Sequence, residues 1–173
     1  MMVTVNPCFH WIGYHLTSNL LQEGIEVIGI DPIEDPKSDL LYMYVGRNSN
    51  FQHFFQRSDK ENHIQQSNDE WEVDLVDNGL LLRHGDKESE WIEIPLLYGE
   101  WMDIGKTGIK EKGEFVQWIM EHKATYVGDF IEAFLGMFLN QQPLRVEQRV
   151  EDKDTILERV EALWRCEQLL RKF

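Results

Sequence analysis

A chain of 173 residues with 42% hydrophobic content, nine Phe and six Trp is long enough for one buried core and too apolar for intrinsic disorder. Its formal charge of −14, from 31 acids against 17 Lys and Arg, argues against phosphate-backbone binding, so no nucleic-acid partner is expected. No apolar run approaches the roughly 20 residues that span a bilayer, so no membrane contact is expected either.

Val3–Val5 reads as a short buried strand. Asn6 to Gly13 then turns the chain into a helix, Tyr14–Glu23, which stops at Gly24. A second apolar run, Glu26–Ile30, ends at Asp31. Strand, tight turn, helix, strand and terminal acid is the layout that seats a pyrophosphate on a helix N-terminus and a ribose on the acid. Pro32–Lys37 reads as a loop, Leu40–Val45 as a third buried strand, and Phe51–Gln56 as a helical turn. Arg57–Glu70 contains Ile64 as its single apolar residue and reads as a polar loop. Trp71–Val76 alternates apolar and acidic residues, as a half-exposed strand does. Asn78-Gly79 predicts a hairpin turn into Leu80–Arg83, and Trp91–Ile94 makes a further strand. Helices follow at Lys112–Glu121, from Val127 or Asp129 to Leu139, and at Asp152–Lys172. In the last, Ile156, Val160, Leu163, Trp164 and Leu170 recur at helical spacing. The expected architecture is a single α/β domain with a mostly parallel sheet, an antiparallel meander and a C-terminal amphipathic helix. Residues 1–56 form its βαβ-type half, 57–70 the polar loop, 71–150 the second half and 151–173 the last helix.

The opening segment resembles the extended short-chain dehydrogenase/reductases, the nucleotide-sugar epimerases and dehydratases, which begin roughly TGxxGFIGxxLxxxLLxxGxxVxGxD. Here the matching residues are Asn6-Pro7-Cys8-Phe9-His10-Trp11-Ile12-Gly13, Leu20-Leu21-Gln22-Glu23-Gly24 and Val27-Ile28-Gly29-Ile30-Asp31. Ile94–Glu100 is similar to the family's RPxxxYGP segment, and Ala124–Phe134 to its YVDDVAxA segment. The resemblance implies a Rossmann-like fold, with NAD or NADP meeting His10, Trp11, Ile12, Gly13 and Asp31. It places Tyr98, Gly99, Glu100, Tyr126 and Asp129 along a substrate pocket. Of the three fingerprint glycines Gly13 remains, while Pro7 and His10 stand for the first two. Proline removes an N–H and fixes φ, and a histidine side chain takes the space of a phosphate.

Family enzymes use a Tyr-x-x-x-Lys pair whose lysine lowers the tyrosine pKa. The residues four places after the five tyrosines here are Ser18, Gly46, Asn48, Met102 and Phe130. The expectation is a degenerate, shortened relative with no catalytic residue and no resident cofactor, acting as a regulatory or interaction module that can retain residual nucleotide or nucleotide-sugar binding. The alternative is an NAD(P)-dependent epimerase or reductase with a rebuilt site. The six histidines form no HExxH, HxH or Cys-His cluster, so no metal site is expected. Cys8 and Cys166 lie at opposite ends, and no signal-peptide pattern precedes the first strand, so a cytoplasmic protein with reduced thiols is expected. Cys8 reads as a buried structural thiol. Leu163 and Trp164 lie in a broad apolar arc, which docks the last helix on its own domain or serves a protein partner or homodimer.

Overall fold

The computed structural model describes residues 1–146 and 151–173. Residues 147–150, which fall at the end of the expected second half, lie outside the described residues. Where one domain was expected, the chain divides into two compact units, Met1–Ile94 and Pro95–Phe173.

In the first unit the elements run β1 (Met2–Asn6), α1 (Trp11–Gln22), β2 (Glu26–Ile30), α2 (Pro36–Val45), β3 (Phe51–Phe54), α3 (Arg57–His63), β4 (Glu70–Val76), β5 (Gly79–His84) and β6 (Glu90–Glu93). Among the described residues these strands form a six-stranded sheet of order β3-β2-β1-β4-β5-β6. The first four are mutually parallel, and β4, β5 and β6 form an antiparallel meander on the same sheet. This is a Rossmann-like α/β arrangement, as expected. Val3, Val5, Val27, Ile28, Ile30 and Val73 are all buried, because parallel strands of such a sheet are covered on both faces. The strand order reverses between β1 and β4, the position where open α/β sheets hold ligands.

Four local readings are corrected. Leu40–Val45 is not a strand but the body of α2. Asp35 caps that helix, Pro36 occupies its first turn, and Ser38 completes a capping box. Burial there follows the helical period: Ser38, Leu41 and Val45 are covered while Met43 and Tyr44 face solvent. Phe51–Phe54 is not a helical turn but strand β3, paired in parallel with β2. The supposed polar loop contains α3, whose helical order owes nothing to apolar periodicity. The hairpin turns on Asp77-Asn78, with Asp77 at φ 50°, and Gly79 pairs with Val76 across it. Gly79 is in the strand because the ring of Trp91 lies over it, where a Cβ would collide.

The second unit has β7 (Leu97–Tyr98) parallel to β8 (Thr125–Tyr126), then a 3-10 turn at Ile104–Thr107 between them in sequence. Helices α4 (Lys112–His122), α5 (Val127–Asn140) and α6 (Lys153–Leu170) complete it. Its core joins Tyr98, Ile104, Phe115, Val116, Ile119, Ile156, Val160 and Leu163. Asp152 caps α6 by accepting the Thr155 N–H at 2.9 Å.

Candidate functional site

In the first unit the turn between β1 and α1 engages two of its own backbone N–H groups with side chains of the same unit. A Cβ on Gly13 would run into the carbonyl oxygen of Pro7, so this glycine serves close helix–turn packing. The helix begins at Trp11, three residues earlier than expected, because His10 is its N-cap. The His10 Nδ1 accepts the Ile12 N–H at 3.3 Å, so a first-turn donor that would meet a phosphate is engaged by the chain itself. Asp31 Oδ2 accepts the Phe9 N–H at 2.9 Å, which ties the turn to the end of β2. The Cys8 N–H donates to the Ile30 carbonyl at 3.1 Å in the same clasp.

Burial raises the Asp31 pKa, with the Phe9 N–H working against that rise. Burial also pushes the Cys8 thiol up, helped by the Asp31 charge, so Cys8 is a packed and unreactive thiol. Beside the acid, His53 places Nε2 2.7 Å from the Asp31 carbonyl. A carbonyl only accepts, so that nitrogen carries the proton. The His53 ring lies 5.3 Å from Phe9, 5.4 Å from Tyr42 and 5.2 Å from Phe55. Sequence reading missed His53, since its approach to Asp31 depends on β3 pairing with β2.

Asp31 carries a pH prediction. Its folded pKa is raised, so the native state holds the proton more tightly than the unfolded chain. Relative to Asp31→Asn, the wild type is therefore expected to lose stability as pH climbs from the unfolded value of about 3.9 through the raised folded one. Denaturation midpoints of the two proteins across that window measure it; parallel curves would mean that the fold does not raise the pKa of this carboxyl.

In the second unit the five pocket-like residues do come together. Tyr98 and Tyr126 end the two parallel strands with ring centroids 5.6 Å apart. Gly99 lets the Val127 side chain approach where a Cβ would clash. The Tyr126 hydroxyl donates to the Glu100 carboxylate, 2.9 Å from each oxygen. Arg159 of α6 lies 4.0 Å over the Tyr126 ring, pairs with Glu151, and stands 3.6 Å from Asp129. Glu151 accepts the Tyr98 hydroxyl at 2.5 Å. Arg159 and Glu151 carry no motif, and their place in this cluster arises from α6 docking. Burial raises the pKa of both tyrosines, and Glu100 raises Tyr126 further, while Arg159 opposes the rise at each. Asp129 also lines a cleft of about 510 Å³ along α5, with Glu132 on the same helix and Arg145 beyond it.

No family model, curated protein or solved structure matches this chain.

Leu163 is buried in the core of its unit, and Trp164 packs edge-on against Phe115 at 5.5 Å, so both are occupied within that unit. Among the described residues no helix is long and apolar enough to cross a membrane. Nor do three or more His, Cys, Asp or Glu side chains among them form a group that could hold a metal ion.

Proposed function

We propose that this chain is a non-catalytic relative of the extended short-chain dehydrogenase/reductases, acting in the cytoplasm as a regulatory or interaction module through protein contacts. The observation that carries this reading is the self-closure of the dinucleotide turn, with His10 on the Ile12 N–H and Asp31 on the Phe9 N–H. A bound dinucleotide would have to displace two contacts that the chain already makes. The tyrosines support the same reading. A proton-shuttling tyrosine needs a lowered pKa, and burial raises that of Tyr98 and Tyr126. Apolar side chains exposed on the first unit, Met43 and Tyr44 on α2 and Phe55 after β3, offer surface for a protein partner or a second copy.

The test is thermal unfolding with millimolar NAD⁺, NADP⁺, NADH, NADPH and UDP-glucose. The expected result is an unchanged midpoint with each. A ligand present at 100 times its Kd stabilises by about 2.7 kcal/mol, a shift of roughly 5–11 °C for a protein of this size. A shift of that size with a dinucleotide alone would reject the proposal, and turnover of that dinucleotide would then separate the rebuilt NAD(P)-dependent enzyme from a ligand sensor.

A further inference from the structure

Strands β3 and β6 are the two edges of the first unit's sheet. An edge strand offers unpaired N–H and C=O groups to any further strand, and charged side chains are a common defence. The edge β6 is defended, with Glu90 and Glu93 exposed at its two ends. Inside the sheet the acids of β4 are neutralised by the chain itself, Lys60 on Glu70, and Arg57 and Arg83 on Glu72 and Asp74. The edge β3 has neither device. From Asn48 to Gln56 nine residues pass without one Asp, Glu, Lys or Arg, in a chain that is 28% charged.

Register determines which groups of β3 are open. The Val27 N–H donates to the Asn50 carbonyl at 2.8 Å, and the Asp31 N–H donates to the Phe54 carbonyl at 3.1 Å. A parallel ladder uses every second residue, so Asn50, Gln52 and Phe54 face β2. Phe51, His53 and Phe55 therefore turn their backbone groups outward. The Asn48 carbonyl takes the Phe51 N–H at 3.0 Å. Among the described residues, the N–H and C=O of His53, the N–H of Phe55 and the C=O of Phe51 meet no hydrogen-bonding group. The three side chains share one face, with Phe51 and Phe55 centroids 6.5 and 5.2 Å from His53. Phe55 is 56% exposed.

We propose that a second copy of this chain adds its own β3 antiparallel to this edge, about a twofold axis at His53. Under that operation His53 exchanges two hydrogen bonds with His53 of the second copy. The Phe55 N–H donates to the Phe51 carbonyl of the second copy, and the reverse bond forms as well. Every open group named above is then satisfied. Phe51 and Phe55 also meet across the seam, and symmetry makes that aromatic pair occur twice. Charge selects a second copy over the other edge as well. Two molecules of −14 repel, and this uncharged run lets them approach, whereas self-pairing of β6 would set Glu90 against Glu93. The inference rests on the reading that the first unit acts through protein contacts, and it names the partner.

Sedimentation equilibrium of the full chain, from micromolar to submillimolar concentration at neutral pH, tests it. The wild type is expected to pass from the mass of one chain to twice that mass. Phe55→Lys, at an exposed position, is expected to raise the dimer Kd about thirtyfold, because the aromatic pair is lost twice. The same residue on the other edge, Glu90→Lys, is expected to leave the Kd unchanged. Hydrogen exchange gives a second readout: the His53 and Phe55 amides are expected to slow as concentration rises, and those of β6 are not. A dimer indifferent to Phe55→Lys, or protection that arises on β6 instead, would overturn the proposal. A wild type monomeric throughout would overturn it too, and with a thermal midpoint indifferent to nucleotides would leave the protein-contact reading standing with a different partner.

Discussion

Gly13→Ala is expected to destabilise the protein by about 3 kcal/mol, at the upper end for overpacking. The added Cβ meets the Pro7 carbonyl oxygen, and backbone cannot rotate away as a side chain can. To relieve the collision α1 must move off β1, which loosens the packing of Leu16 and Leu20, both buried on that helix. Gly113→Ala provides the internal control. Gly113 lies in the first turn of α4 with nothing near its missing Cβ, so alanine there is expected to stabilise by about 0.5 kcal/mol through the unfolded state. Chemical denaturation of the two variants measures both signs. A neutral Gly13→Ala would mean that the turn is held less closely to the helix than this geometry requires. Because the close approach concerns packing alone, the loss is expected equally with and without nucleotide.

Phe115→Ala is expected to cost about 3–5 kcal/mol in the second unit. Phe115 is fully buried, stacks on Trp118 with centroids 5.4 Å apart and meets Trp164 edge-on. Truncation removes the ring that both tryptophans pack against, at the junction of α4 and α6. Leu157, 43% exposed on the outer side of α6, gives the contrast: its alanine variant is expected to stay within about 0.5 kcal/mol. Tryptophan fluorescence during unfolding reads the effect directly. If Phe115→Ala left stability unchanged, α6 would not be docked through this aromatic junction, and Trp164 would be open to a partner.

What could be read in the chain was what short stretches specify on their own. The β1–α1–β2 unit was legible because its apolar runs, Gly24 stop and terminal Asp31 lie within thirty-one residues. The last helix was legible too, since Ile156, Val160 and Leu163 repeat at helical spacing behind a capping Asp152. The third element misled for a physical reason. Leu40–Val45 is apolar at both periods, and only the Asp35-Pro36-Lys37-Ser38 cap distinguishes a helix from a strand there. That cap was present in the sequence and outweighs β propensity, because it satisfies donors at the first turn.

The local sequence thus determined that a strand–helix–strand unit opens the chain and an amphipathic helix closes it, that the turn after β1 carries a single glycine, Gly13, and that no tyrosine has a lysine four residues on. Only the tertiary structure decided how the polar groups are spent. Alternation on β4 says that Glu70, Glu72 and Asp74 share a face, but not whether water or α3 covers it. Likewise Tyr126, Glu100, Arg159 and Glu151 are scattered along the chain and meet only when α6 docks. Periodicity and capping are properties of neighbouring residues, whereas burial and charge pairing belong to segments brought together from far along the chain, which no single stretch of sequence encodes.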